Sequence, residues 1–363
     1  MSVGVKSFLY SISLSIKECL IFSLPIIIFS LVFCSTIRLG VNTVKYILII
    51  VPLVCCSNFL NTILSYLVSL MVIDTGQDIQ LVRNTIGDSQ LSSTFEITLK
   101  NFISNDLALL FGVILGPVTC FLNKKAVSQI VKILEAGTKC YFKVLIPIMP
   151  FFIIGASLKL QHDGVLSQMF ERYSPILLMF VASAYCFILL QYFALAGFSL
   201  EKVVTYLKNI FPAMVTAFGS MSSASALPLS IRAAEKNLMQ RDNASVIVTS
   251  TVNIHLVGDC FFIPMVAMAV MASFGVQIPY VSNYVIFAIH FVLAKFAVAA
   301  VPGGGILVML PILQQCLDFS PEMLAFVTAL YILFDPVITV CNVGGNGALA
   351  ILFDKITRFK FKR

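Results

Sequence analysis

Apolar runs separated by short polar connections occupy most of this chain. Residues 21–37 are just long enough to cross a bilayer, and 44–72 are longer and would tilt to fit. Further apolar segments follow at 101–123, 126–160 and 173–198, and 73–100 is the one sizeable hydrophilic loop. The run within residues 1–20 is too short to cross and ends at Lys17–Glu18, which predicts a surface helix or an extension of the first span. Past an amphipathic link carrying Glu201, Lys202 and Lys208, the pattern changes. It predicts a helical hairpin at 209–236, a span at 243–274, a second hairpin at 284–317 and a final span at 322–353. Polar or Gly-rich stretches interrupt this part at Ser220–Pro228 (SMSSASALP), Asn253–Gly258 (NIHLVG), Val301–Gly305 (VPGGG) and Asp335–Asn346 (DPVITVCNVGGN). Hydrocarbon tolerates a broken helix only where the freed N–H and C=O groups are buried in protein or line a wet cavity. These breaks therefore predict a site built inside a membrane, as a transporter requires.

Composition agrees. The 363 residues are 59% hydrophobic and only 11% charged, with mean hydropathy +0.98, whereas a soluble domain carries roughly a quarter charged residues. The net charge of +7 does not suggest nucleic acid, because the basic residues fall at the ends of apolar segments. Most of the ten cysteines lie inside apolar runs and none forms a CxxC pair, so they predict free, hydrophobe-like thiols and no metal site or cofactor. No small-residue cleavage site marks a removable signal peptide. Arg38, Lys124, Lys125, Lys202, Lys208, Arg232, Lys236, Arg241 and the basic tail share one face if the spans alternate. The positive-inside rule then places the C-terminus and the base of the first hairpin in the cytoplasm, and the base of the second hairpin outside. Two such hairpins form an inverted pair around a midplane site. The compact chain, with no organelle signal, suggests a bacterial inner membrane.

The Ser-rich tip ending in Ala226-Leu227-Pro228-Leu229 with Arg232 after it, the Val301–Gly305 loop, and a last span with Asp335, Thr339, Asn342 and Gly345 resemble the dicarboxylate/amino acid:cation symporter family. The glutamate and neutral amino acid transporter homologues belong there. The match is strongest over 209–353 and weaker over 21–208. The resemblance implies an all-α polytopic membrane protein with two re-entrant helical hairpins and broken spans. It also implies a trimerisation-type scaffold at 1–208, a transport core at 209–353 that moves like an elevator, a basic tail at 354–363, and assembly as a homotrimer. The first span usual in the family has no counterpart, which would put the N-terminus outside and puts trimer assembly in doubt. By the same resemblance Asp335 would hold a substrate ammonium, Asn342 the substrate carboxylate, and the Gly303–Gly305 backbone would close over both, with Thr339 beside them. Physical chemistry agrees: Ser220, Ser222, Ser223 and Ser225 at a hairpin tip can present hydroxyls and N–H groups to an anion. A carboxylate such as Asp335 in an apolar span is costly and usually functional.

The departures point to substrate and coupling. Where acidic-substrate members carry an arginine, this chain has Ile338, and an alkane cannot replace a bidentate guanidinium. A small neutral amino acid fits better than glutamate or a dicarboxylate. The family's Asn-Met-Asp-Gly-Thr stretch is here Asn253-Ile254-His255-Leu256-Val257, its second last-span Asp is Asn346, and Ile47, Ile50 and Val51 align with its hydroxyl-bearing positions in the 44–72 span. Lys295 stands at a Ser position of the second hairpin. Sodium would lose most of its oxygen ligands, keeping Asn253 and Asn342. His255 and Asp259, four apart on one helical face, could pair. Three alternatives remain open: a proton replaces sodium through His255 and Asp259; Lys295 acts as a tethered cation in an exchanger or uniporter; or the chain is a diverged, weakly coupled or inactive relative, such as an anion-conducting pore or a sensor. No HExxH, GxSxG or comparable cluster suggests an enzyme.

Overall fold

The structure is a computed structural model that describes residues 1–38, 44–74, 91–95, 97–99, 103, 105–119, 124–162, 166–241, 243–298 and 304–361. The loop predicted at 73–100 falls largely outside these residues, as do Val301, Pro302 and Gly303.

The described residues form helices joined by turns. These are α1 (Val3–Arg38), α2 (Val44–Asp74), α3 (Asn105–Thr119), α4 (Lys124–His162), α5 (Leu166–Leu195), α6 (Leu200–Ser220), α7 (Ser223–Asn237) and α8 (Asn243–Thr251), then α9 (Val257–Ser273), α10 (Val281–Ala294) with a 3-10 turn at Lys295–Ala297, α11 (Gly304–Leu317) and α12 (Pro321–Phe361). Three segments, Ile49–Met71, Tyr173–Leu195 and Pro321–Thr357, are long and apolar enough to cross a membrane by length and composition. The nine described cysteines are all free.

Helix α9 is the centre. It is apolar on every side, and all of its residues but Ala272 are buried, as a helix that is hydrophobic all round must be. Helices α2, α5, α11 and α12 pack around it. Helices α3 and α4 both pack on α1 as a second group; α1 also meets the 3-10 turn and α11, and α4 meets α5 and α12. Outward faces carry exposed apolar side chains such as Phe211, Val215 and Phe218 on α6 and Leu189 and Leu190 on α5, surfaces suited to lipid rather than water.

Helices α6 and α7 make the first hairpin, and α10 and α11 the second. The first begins at Leu200, because the amphipathic link continues into α6 without a break. Its turn is two residues: Met221 takes the left-handed conformation (φ 50, ψ 32), and Ser222 caps α7, its hydroxyl accepting from the Ser225 N–H. Asn209 Nδ2 donates to Asn237 Oδ1 at 2.6 Å and ties the two limbs together at the base.

Of the two readings of the N-terminal run the structure shows the extension, while the C-terminal element differs from expectation. Helix α1 is one continuous helix, so the short N-terminal run extends the first span and Lys17–Glu18 does not end it. The break expected at Asp335–Asn346 is absent: α12 runs through Pro336 and both glycines, and on through the basic residues to Phe361. Gly345 serves packing instead, since a Cβ there would overlap the Val257 side chain of α9.

Candidate functional site

The break predicted in the seventh apolar segment is present. Helix α8 ends at Thr251, residues 252–256 are non-helical, and α9 starts at Val257. A buried backbone gap needs hydrogen-bond partners, and α2 supplies them. Asn58 Nδ2 donates to the Ile254 carbonyl at 2.7 Å, and Asn58 Oδ1 accepts the Leu256 N–H at 3.3 Å. One residue earlier, the Ser57 hydroxyl lies 2.9 Å from His255 Nε2.

This break, the first hairpin's tip, the residues flanking the second hairpin's tip and α12 converge on one small cavity of about 30 Å³. Met221 and Ser223 come from the first hairpin, Val298 and Gly305 from the second, Asn253 and Asp259 from the broken segment, and Tyr331, Asp335, Thr339 and Asn342 from α12. Asp335 is buried, and its Oδ1 accepts the Thr339 hydroxyl at 3.1 Å. Asn342 braces the start of α9: its Oδ1 accepts the N–H groups of Gly258 (2.8 Å) and Asp259 (3.4 Å).

Asp259 is held by three side chains. Its Oδ2 accepts from Lys295 Nζ at 2.9 Å, and its Oδ1 accepts from the Tyr331 hydroxyl at 3.0 Å and Asn342 Nδ2 at 3.3 Å. Lys295 is 0% exposed, with its ammonium 4.6 Å above the Phe291 ring. Gly305 abuts the same group, for an added Cβ would overlap the Tyr331 hydroxyl and the Asp259 carboxylate.

The structure corrects several expectations. His255 and Asp259 do not pair: the helix break lies between them, so helical four-residue spacing does not apply, and His255 turns to α2 while Asp259 takes Lys295. Of the four tip serines only Ser223 reaches the cavity; Ser225 is exposed, Ser222 serves as a cap, and Ser220 bonds back to the Thr216 carbonyl. Ile338 is fully buried outside the cavity lining, its carbonyl against Gly258. Gly304 is buried in the first turn of α11, and Gly303 lies outside the described residues. In α2, Ile50 is buried in the hydrophobic core and the side chain of Ile47 is not described. The α2 residues that meet the break are Ser57 and Asn58, seven positions beyond Ile50 and Val51, two turns along the same face.

Other residues had not been singled out. Asn61, Thr62, Ser65 and Ser69 continue a fully buried polar stripe along α2, with Ser65 donating to the Phe261 carbonyl of α9 at 2.6 Å. Their spacing by three and four was the available signal. Both amide atoms of Asn61, Nδ1 of His255, and the amide oxygens of Asn253 and Asn346 are buried without a hydrogen-bond partner among the described residues.

Membrane-length apolar helices around a buried polar cavity define an integral membrane protein with an internal site. A model of the sodium:dicarboxylate symporter family matches residues 6–356, and the chain belongs to that family. It is similar to the L-cystine uptake protein TcyP of Bacillus cereus, 27% identical over 216 residues, 58% of this chain and 46% of that protein. It is also similar to the C4-dicarboxylate transport protein of Edwardsiella ictaluri, 24% identical over 259 residues, 69% of this chain and 59% of that protein. The chain thus spans about half the length of the curated relatives it matches.

Proposed function

We propose that this protein is a secondary transporter of a small neutral amino acid. The convergence of the first hairpin's tip, the residues flanking the second hairpin's tip, the broken segment and Asp335, Thr339 and Asn342 on one cavity carries the proposal. Asp335 takes the substrate ammonium, while Ser223 at the start of α7 and Asn342 receive its carboxylate. No arginine or lysine is among the described residues lining the cavity, which holds two carboxylates. That charge disfavours a dicarboxylate and favours a zwitterion, and the similarity to cystine uptake proteins points the same way. A cavity of about 30 Å³ has room for about two waters, so the site widens before an amino acid fits. The hydrogen bonds of α2 to the broken segment make α2 part of the moving core in this reading, with α1, α3 and α4 as the framework.

Protons are the proposed coupling ion, with His255 the carrier. Its ring is buried at the break and holds Ser57 through Nε2, leaving Nδ1 for the exchanged proton. Sodium is the second reading, favoured by the unpartnered amide oxygens of Asn253 and Asn346. The cytoplasmic end is proposed to hold the base of the first hairpin and the C-terminal part of α12, in a bacterial plasma membrane. Asp354 of α12 accepts the N–H groups of Met239 and Gln240 beside that base, so their basic residues share one end. A homotrimer is the proposed assembly, which native mass spectrometry in detergent tests.

The deciding experiment reconstitutes purified protein in liposomes with a labelled neutral amino acid. Uptake is expected under an inward proton gradient without sodium. Uptake that needs sodium and ignores pH replaces the first reading with the second, and failure to exchange any amino acid removes both.

A further inference from the structure

The described residues lining the cavity form two kinds of wall. Helix α12 supplies Tyr331, Asp335, Thr339 and Asn342, whose spacing by four, four and three puts them on one helical face. Asp259 joins that wall, since Tyr331 and Asn342 both donate to it. The other wall is mostly apolar: Met221 at the first hairpin's tip, Val252 and Leu256 in the break, and Val298 just after the 3-10 turn. Val252, Leu256 and Val298 are buried. Asn253 sits among them, but its amide oxygen is buried rather than open to the cavity. Ser223, at the start of α7, is taken by the substrate carboxylate in the reading above.

Met221 gives this wall a second, independent observation. Its backbone is left-handed (φ 50, ψ 32), a conformation that glycine adopts freely and a side chain resists. Helices that end this way usually carry glycine there. A thioether at a position the backbone would give to glycine points to a contact made by the side chain. Methionine is also an apolar residue able to adjust to different shapes. Resting on the transport reading above, we propose that Met221, Val252, Leu256 and Val298 form a side-chain subsite, so that the substrate is an amino acid with an apolar side chain. Asp335, Asn342 and Ser223 hold the groups that every amino acid shares, and the apolar wall meets the one that differs. A hydroxyl or amide brought against it loses water without gaining a partner. Selectivity then resides here and not at Ile338, which is buried outside the lining.

Substrate pairs of equal shape test it. Liposomes holding the full-length parent chain are given labelled valine or threonine, and labelled 2-aminobutyrate or serine, each pair differing by a methyl group against a hydroxyl. The parent is expected to favour the apolar member of each pair by about 10- to 100-fold in kcat/KM, the range an apolar pocket reaches against an added hydroxyl. Val252→Thr and Val298→Thr, close to the parent in shape, should each cut that preference several-fold. Met221→Gly suits the left-handed backbone, so it should melt at or above the parent temperature in detergent, yet lose part of the preference. A residue that only shaped the turn would leave the preference unchanged. The parent comparison needs no substitution, so a variant that folds poorly leaves the test intact. Equal or better exchange of threonine and serine by the parent overturns the proposal, as does an apolar preference unchanged in all three variants. Exchange of cystine, whose side chain ends in a second ammonium and carboxylate, but of neither pair also overturns it and keeps the transport reading. No exchange of any amino acid by the parent removes that reading and the subsite with it.

Discussion

Two side chains show how the site divides its labour. Asp335 faces the cavity with its oxygen held by Thr339, while Asn58 lies behind it and satisfies the two backbone groups freed at Ile254 and Leu256. The consequences of replacing them differ in kind. Asp335→Asn should weaken amino acid binding about 10- to 100-fold, the worth of a hydrogen bond to a charged group, with little change in melting temperature; isothermal titration checks this, and unchanged binding would remove Asp335 from the substrate site. Asn58→Leu should instead destabilise the fold by about 2–5 kcal/mol, because a carbonyl and an N–H are left buried without partners; denaturant unfolding in detergent measures it. Sequence made the first residue legible and hid the second. A lone carboxylate in an apolar span is conspicuous, whereas Asn58 sits in a run whose overall hydropathy masks its buried polar stripe, and only its contact across to another helix reveals its job.

At the scale of elements, the interruptions marked by Ser, Gly and Pro located both hairpins and the broken seventh segment, since these residues cap helices or release backbone. The same signal misled at α12, where Gly345 lets α9 approach and leaves the helix intact. It misled again at His255, where the four-residue spacing runs from the non-helical break into α9. The second hairpin offers a direct test. Gly305→Val puts two methyl groups where Asp259 and Tyr331 meet α11, so the hairpin should be held off its seat. Amino acid binding should fall below detection while the helical circular dichroism signal stays unchanged; normal binding would show that closure does not pass through this contact.

For the whole molecule, the polar links between the two helix groups limit how they can move. Tyr10 of α1 donates to Glu322 at the start of α12 at 2.6 Å, and Lys159 of α4 lies 3.9 Å from the same carboxylate and 5.2 Å from the Tyr10 ring centre. If α12 travels against α1 and α4 during transport, these contacts break in each cycle. Weakening them by Glu322→Gln should then speed exchange about threefold, equivalent to about 0.6 kcal/mol from a partly exposed pair; an unchanged rate in liposomes would show that this end of α12 stays with α1 and α4.

The small cavity also bears on leakage. In the transport cycle proposed above, a substrate chamber narrowed to the room of about two waters would take almost no solution with it when it returned without cargo. Ions and metabolites dissolved on one side have no volume in which to ride across. Tight closure of the second hairpin over Asp259 would therefore do more than shape a binding site: it would keep the membrane's gradients from draining through the carrier's own idle strokes.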